Sequence, residues 1–137
     1  MTVVYPVIFT ATHDEKDTYL IYIPDIDGVT EGYGVSDAYS MARDYMGCSF
    51  YEKDDEDLPV PSNITEINIA DGKFYDEGES FVSLVDLNLT EYRRSMNKKT
   101  VRRNVSIPEW LNHEAEKAHI NVSRVLQEAL KEKLNIA

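Results

Sequence analysis

The first ninety residues consist of short apolar segments separated by turn residues, a pattern typical of an antiparallel sheet. Residues 3–10 are rich in valine, isoleucine and aromatic side chains, which predicts a strand. Residues 11–17 are polar and acidic and predict a hairpin loop, and residues 18–23 (TYLIYI) predict the second strand. Proline and glycine in residues 24–28 (PDIDG) predict a turn. Residues 29–34 predict a third strand, weakened by its glycines.

A helix and two further strands are predicted after these three strands. Ser36 is a suitable N-cap, and apolar residues follow it at helical spacing: Ala38, Met41, Ala42, Tyr45 and Met46. The charged residues and two prolines of residues 51–61 predict a loop. Residues 64–69 (ITEINI) and 81–89 (FVSLVDLNL) alternate in polarity, which predicts strands with one buried face. The order of these elements indicates an α+β layer fold for a domain of residues 1–90.

The remaining residues have a different pattern. We interpret the polar, basic residues 91–99 as a linker and residues 100–137 as a second domain. Residues 100–107 (TVRRNVSI) predict a strand, one face of which carries side chains suited to hydrogen-bonding base edges: Thr100, Arg102, Asn104 and Ser106. A lone strand can neither bury its apolar face nor pair its backbone. We therefore expect a homodimer, in which two copies form an antiparallel ribbon that fits the major groove of DNA.

Two helices are predicted after this strand. Pro108 suits the first turn of a helix, and an apolar stripe follows it: Trp110, Leu111, Ala115 and Ala118. Asn121 is a suitable N-cap for a second helix, whose apolar face includes Val122, Val125, Leu126 and Leu130. Because the first N–H groups of a helix lack intrahelical acceptors, the start of the second helix could hold a DNA phosphate.

Charge is divided unevenly along the chain. The net charge of the whole chain is −11. Residues 1–97 carry 20 acidic against 6 basic side chains, a balance of −14, whereas residues 98–137 carry 5 against 8, a balance of +3. The acidic part suits a basic protein partner and the basic part suits phosphate. The acids expected to face such a partner are those of the hairpin, Asp14, Glu15 and Asp17, or those of residues 54–57, but the sequence assigns the contact to neither group.

The composition contains little that points to catalysis, metal binding or a membrane. The single cysteine, Cys48, excludes an intrachain disulfide and is expected to be a small buried residue of a cytoplasmic protein. No apolar run is long enough to span a membrane. Asp25 and Asp27 lack the other ligands of a calcium loop, and the histidines show no metal-ligand spacing. We therefore predict no catalytic residue, no metal and no cofactor.

Residues 102–134 resemble the ribbon-helix-helix family of dimeric repressors, in the order strand, proline-opened helix, short turn with a polar N-cap, and second helix. The resemblance implies base contacts by Arg102, Asn104 and Ser106, and Thr100, on the same face of the strand, is expected to join them. It also implies phosphate contacts at the start of the second helix: Asn121, Val122 and Ser123. Arg103 departs from the family, because it stands where an apolar residue is usually buried. Either the ribbon frays at this position or Arg103 reaches a phosphate, and the phosphate contact is the one we predict. His119-Ile120 replaces the usual glycine between the helices.

Residues 5–46 resemble the start of HicB antitoxins: a first strand, an acidic hairpin, a strand ending in Ile-Pro-Asp, a glycine turn and a helix start with Ser-Asp-Ala. The resemblance implies a truncated ribonuclease-H-like domain. It also implies that the chain binds and neutralises a HicA-type toxin, a small basic ribonuclease that cleaves mRNA, and represses its own operon. Two alternatives stay open: a metal-dependent nuclease that uses Asp25 and Asp86 and has a targeting tail, or a repressor that senses a small ligand.

Overall fold

The structure is a computed structural model that describes residues 1–136, and it divides into two compact units, Met1–Lys99 and the residues from Thr100 onward. The first is called the body and the second the tail. Four strands form the sheet of the body: β1 (Thr2–Thr12), β2 (Thr18–Ile23), β3 (Gly28–Tyr33) and β4 (Gly78–Asn88). Two helices belong to the body and two to the tail: α1 (Val35–Phe50), α2 (Leu89–Met96), α3 (Glu109–Lys117) and α4 (Val122–Lys133). Among the described residues, no helix is both long and apolar enough to cross a membrane.

The body is a four-stranded antiparallel sheet in the order β3-β2-β1-β4, with α1 packed on one face. β1 pairs along its whole length with β4, from Thr2 opposite Asn88 to Thr12 opposite Gly78. Alternate residues of β1, among them Tyr5, Val7 and Phe9, are buried under α1. This agrees with the predicted α+β layer fold, in which one side of each strand is apolar.

The start of α1 lies close to β3 because Gly32 has no side chain. A Cβ atom at Gly32 would stand 2.6 Å from the Cα of Ala38, which is far too close for two carbon atoms. The helix begins at Val35, one residue before the predicted N-cap Ser36. The carboxylate of Asp37 accepts a hydrogen bond from the Tyr33 N–H at 2.9 Å, so the first turn of α1 is tied to the last residue of β3.

The other face of the sheet is partly covered by residues 58–77, here called the strap. The predicted strand at residues 64–69 is wrong: Ile64–Glu66 and Ile69–Asp71 are single 3₁₀ turns. The side chains of Asn63 and Asn68 accept hydrogen bonds from backbone N–H groups two residues ahead, and this local competition favours turns over an extended strand. The strap helps to bury Ile8, which is 2% exposed.

The predicted linker at residues 91–99 is also wrong in its first part, because α2 packs on the body. Its first residue, Leu89, is fully buried, and the Tyr92 ring lies against α1 over Gly47. The Tyr92 hydroxyl is 3.1 Å from both Cys48 Sγ and Asp44 Oδ1, and the hydrogen bond with Cys48, followed by burial, raises the pKa of Tyr92. Cys48 is exposed, not buried as expected from the sequence. Most residues of α2 are polar, which is why a linker was predicted, but Leu89 and Tyr92 form one apolar face that packs on the body.

The tail contains α3 and α4, joined by a tight turn. His119 has a left-handed backbone with φ of 56°, and the Ile120 N–H donates back to the carbonyl of Ala115 at 3.1 Å. His119 thus takes the conformation in which glycine usually ends a helix. Residues 100–107 form no strand in the single chain. Of the described tail residues, none is buried.

Candidate functional site

The first residues of the tail lie beside α4 and form a groove with it. The groove is lined by four residues of the extended segment and four of the helix: Thr100, Val101, Arg102, Arg103, Ser123, Leu126, Gln127 and Leu130. It brings together Arg102, predicted to contact bases, with Arg103 and Ser123, predicted to contact phosphate. Asn104 and Ser106 do not line it. The contribution of Gln127 was not predicted from the sequence, since a polar residue on a helix gives no sign of which strand residue it will face.

The N-terminus of α4 leaves backbone donors available. The side-chain oxygen of Asn121 accepts a hydrogen bond from the Arg124 N–H at 3.1 Å, so Asn121 is the predicted N-cap. The N–H groups of Val122 and Ser123 precede the first intrahelical bond and have no acceptor among the described residues. Both N–H groups carry the partial positive charge of a helix start, which favours an anion there.

Charge in the groove comes from arginines that have no acidic partner nearby. Neither Arg102 nor Arg103 forms a salt bridge within the described part of the chain. Arg124, by contrast, is paired with Glu128 at 3.2 Å along the exposed side of α4. Both groove arginines therefore remain available for an external anion.

The apolar side chains of the tail are largely exposed. Val101 is 89% and Trp110 is 69% exposed, and seven other large apolar residues of the tail are at least 42% exposed: Val105, Ile107, Ile120, Val122, Val125, Leu130 and Leu134. Only small parts of the apolar stripes of α3 and α4 are covered within the chain. An apolar surface of this extent on a small unit marks an interaction surface.

The body carries two acidic surfaces. The first is a shallow cavity at the end of the β1–β2 hairpin, lined by carboxylates that include Asp14, Glu15, Glu31 and Glu77. The second is the loop of residues 51–56, where Asp55 pairs with Arg93 of α2 at 2.7 Å. The first cavity includes two of the three hairpin acids singled out from the sequence.

The aspartates considered for a calcium loop or a nuclease are engaged elsewhere. Asp25 accepts hydrogen bonds from the backbone N–H and the hydroxyl of Ser62 in the strap. Asp27 forms an ion pair with Lys73 at 2.9 Å, and this hydrogen bond lowers the pKa of Asp27. Asp86 is held by Arg43, which also lowers its pKa. Within residues 1–136, no group of three or more His, Cys, Asp or Glu side chains is placed to hold a metal ion.

One known protein family matches nearly the whole chain. A family profile described as "HicB_like antitoxin of bacterial toxin-antitoxin system" matches residues 5–130. The chain belongs to this HicB-like antitoxin family. It is therefore an antitoxin of a toxin–antitoxin system, and the family indicates a regulatory role and not an enzymatic one. The family predicted from residues 5–46 is confirmed.

Two solved structures are similar to the HicB-like chain. One is described as a toxin–antitoxin complex from Streptococcus pneumoniae; its chain is 26% identical, with a TM-score of 0.62, over 97% of this chain and 99% of that chain. The other is the antitoxin HicB of Burkholderia pseudomallei, 23% identical with a TM-score of 0.48, over 97% of each chain. None of the curated proteins compared with the chain matches it.

Proposed function

We propose that this antitoxin neutralises an mRNA-cleaving HicA-type toxin through its body and represses its own operon through its tail, which dimerises and binds operator DNA. The observation that carries the proposal is the tail itself: its apolar side chains are exposed while two unpaired arginines line a groove beside a helix start. The boundary between the two functions lies between residues 96 and 100.

Dimerisation accounts for the exposed apolar side chains. In the proposed ribbon-helix-helix arrangement, residues 100–107 pair with their copy from a second chain, which supplies the hydrogen-bond partners that the strand lacks. Val105 and Ile107 would then face the helices, where the water-exposed parts of both side chains would be removed from solvent. Burial of a whole valine or isoleucine side chain stabilises by about 1.5–3 kcal/mol, and each residue occurs twice in a dimer.

DNA recognition divides between the polar face of the ribbon, Arg103 and the start of α4. Arg102, Asn104 and Ser106, with Thr100 beside them, would read base edges, since arginine suits guanine and asparagine suits adenine. The free N–H groups of Val122 and Ser123 would bind a backbone phosphate. Arg103 would reach a neighbouring phosphate from the groove. The side-chain oxygen of Asn121 caps α4, so the NH₂ group of the same side chain would donate to phosphate.

Toxin binding is assigned to the body because of its charge. A balance of −14 over residues 1–97 provides an attractive field for a small basic ribonuclease. The similarity over nearly the whole chain to a member of a toxin–antitoxin complex supports the assignment. The ribonuclease-H-like classification of the body remains a prediction. The nuclease alternative is not proposed, because Asp25 and Asp86 are held by different partners.

A gel-shift titration tests the repressor function. The DNA upstream of the gene is titrated with the wild type and with Arg102→Ala/Asn104→Ala. The control is Asn112→Ala/Lys131→Ala, which also removes one positive charge but at positions that do not line the groove. We expect specific binding by the wild type and the control, and loss of about 1–3 kcal/mol per base contact in the first variant. Equal binding by all three proteins would refute base reading by the ribbon.

A further inference from the structure

The outer edge of β4 is a long strand with an unpaired backbone. β4 is an edge strand of 11 residues. The backbone N–H and C=O groups of its successive residues point alternately toward β1 and away from the sheet. Arg43 Nε donates to the outward carbonyl of Asp86 at 2.9 Å, which identifies the outward set as the even-numbered residues. Ser80, Val82 and Leu84 therefore present N–H and C=O groups that have no backbone partner in the described chain.

This edge lacks the features that usually block strand addition. Residues 80–85 (SFVSLV) contain no charge and no proline. Phe81 on one face of β4 is 41% exposed, and Leu84 on the other face is 50% exposed. β3, at the opposite edge of the sheet, has 6 residues and carries Glu31, and its last N–H is already bound by Asp37. β4 is thus the edge of this sheet that suits an added strand.

Charge around the edge indicates which strand would be added. Glu79 is exposed on β4, and Glu77 precedes the strand and joins Asp14 and Glu15 at the acidic cavity. A second copy of this body would bring another balance of −14 from its residues 1–97 against the same edge, and like charges oppose that approach. A basic polypeptide would instead be attracted to both the acidic cavity and the strand beside it.

We propose that the basic toxin adds one of its strands to the outer edge of β4, with apolar side chains against Phe81 and Leu84 and basic side chains toward Glu77 and Glu79. The inference rests on the proposed neutralisation of a toxin and specifies where and how it binds. Main-chain hydrogen bonds to Val82 and Leu84 supply affinity, and the flanking acids select a basic partner.

The test uses the full chain and the small basic toxin encoded in the same operon, purified as a catalytically inactive variant. Val82→Pro removes an outward N–H without removing a bond to β1, and Val29→Pro is the matched control at an outward position of β3. Leu84→Lys is a second variant that places a charge on the edge and keeps every backbone group. Toxin affinity is measured by calorimetry, and amide exchange is followed at residues 80–84.

We expect Val82→Pro and Leu84→Lys each to weaken toxin binding by about 100-fold. Val29→Pro should bind the toxin as the wild type does, and both edge variants should bind operator DNA as the wild type does. The amides of Val82 and Leu84 should exchange more slowly in the complex. Wild-type affinity in both edge variants would overturn strand addition while leaving toxin binding in place, whereas no binding by the wild type would overturn the proposed function itself. Loss of self-association in Val82→Pro without toxin would show that a second copy occupies the edge and would also overturn the proposal.

Discussion

Replacing Gly47 by alanine tests whether α2 is a packed element of the body or a loose connection. Gly47 lies within α1, directly beneath the ring of Tyr92. A Cβ atom at this position would stand 2.4–2.6 Å from three carbon atoms of that ring. The ring cannot swing aside freely, because its hydroxyl is hydrogen-bonded to Asp44 and Cys48 at 3.1 Å.

Two opposing effects determine the result. Alanine stabilises a helix interior by about 1 kcal/mol relative to glycine. Forcing an extra carbon into a packed contact costs about 1–3 kcal/mol. We therefore expect Gly47→Ala to destabilise the body by about 1 kcal/mol. In a Tyr92→Ala background the ring is absent, and the same substitution should stabilise by about 1 kcal/mol. The coupling energy between the two sites is thus about 2 kcal/mol, well above the error of additivity.

Urea unfolding of the four proteins of this double-mutant cycle measures that coupling. All nine tyrosines lie in the body and the single tryptophan, Trp110, lies in the tail. Near-UV signals of tyrosine therefore follow the body, and tryptophan fluorescence follows the tail. If Gly47→Ala stabilises the body equally with and without the Tyr92 ring, α2 does not pack on α1 and the predicted linker was right.

Three further predictions concern the connection, the tail and one ion pair. Trypsin should cleave at Lys98 before Arg93, because Arg93 lies within α2 while residues 97–100 have no regular structure. Mass spectrometry of early fragments identifies the cleaved site, and a first cut at Arg93 would contradict this order. Asn121→Ala should lower the stability of the tail by about 1 kcal/mol, measured by tryptophan fluorescence, and should weaken operator binding, measured by gel shift. Unchanged stability of the tail would exclude a capping role for Asn121. Because Arg43 lowers the pKa of Asp86, the pair stabilises the body above about pH 4 and loses this effect as the pH falls through the lower folded-state pKa. Asp86→Asn should therefore be less stable than the wild type at pH 6, and acid titrations of both proteins should show the difference narrowing as the pH falls below the ordinary aspartate pKa of about 4.

The elements that were predicted well are those with strong local signals. Strands β1 and β2 have dense β-branched and aromatic residues, and α1 has five apolar residues at helical spacing, so local periodicity alone indicates them. The N-cap Asn121 was also predicted, because capping depends on neighbouring backbone groups. Two of the errors, at residues 64–69 and 91–96, arose where local polarity and the actual contacts disagree.

The sequence by itself determined the family, the division of charge between body and tail, and the polar face of residues 100–107, since each depends on residue identity and order. Only the tertiary structure decided that Asp25 and Asp27 hold the strap, that Tyr92 anchors α2 over Gly47, and that β4 is an open edge. These contacts join residues far apart in the chain, as when Asp25 meets Ser62 across 37 positions. Spacing along a chain carries no information about such pairs until the sheet order and the path of the strap bring them together.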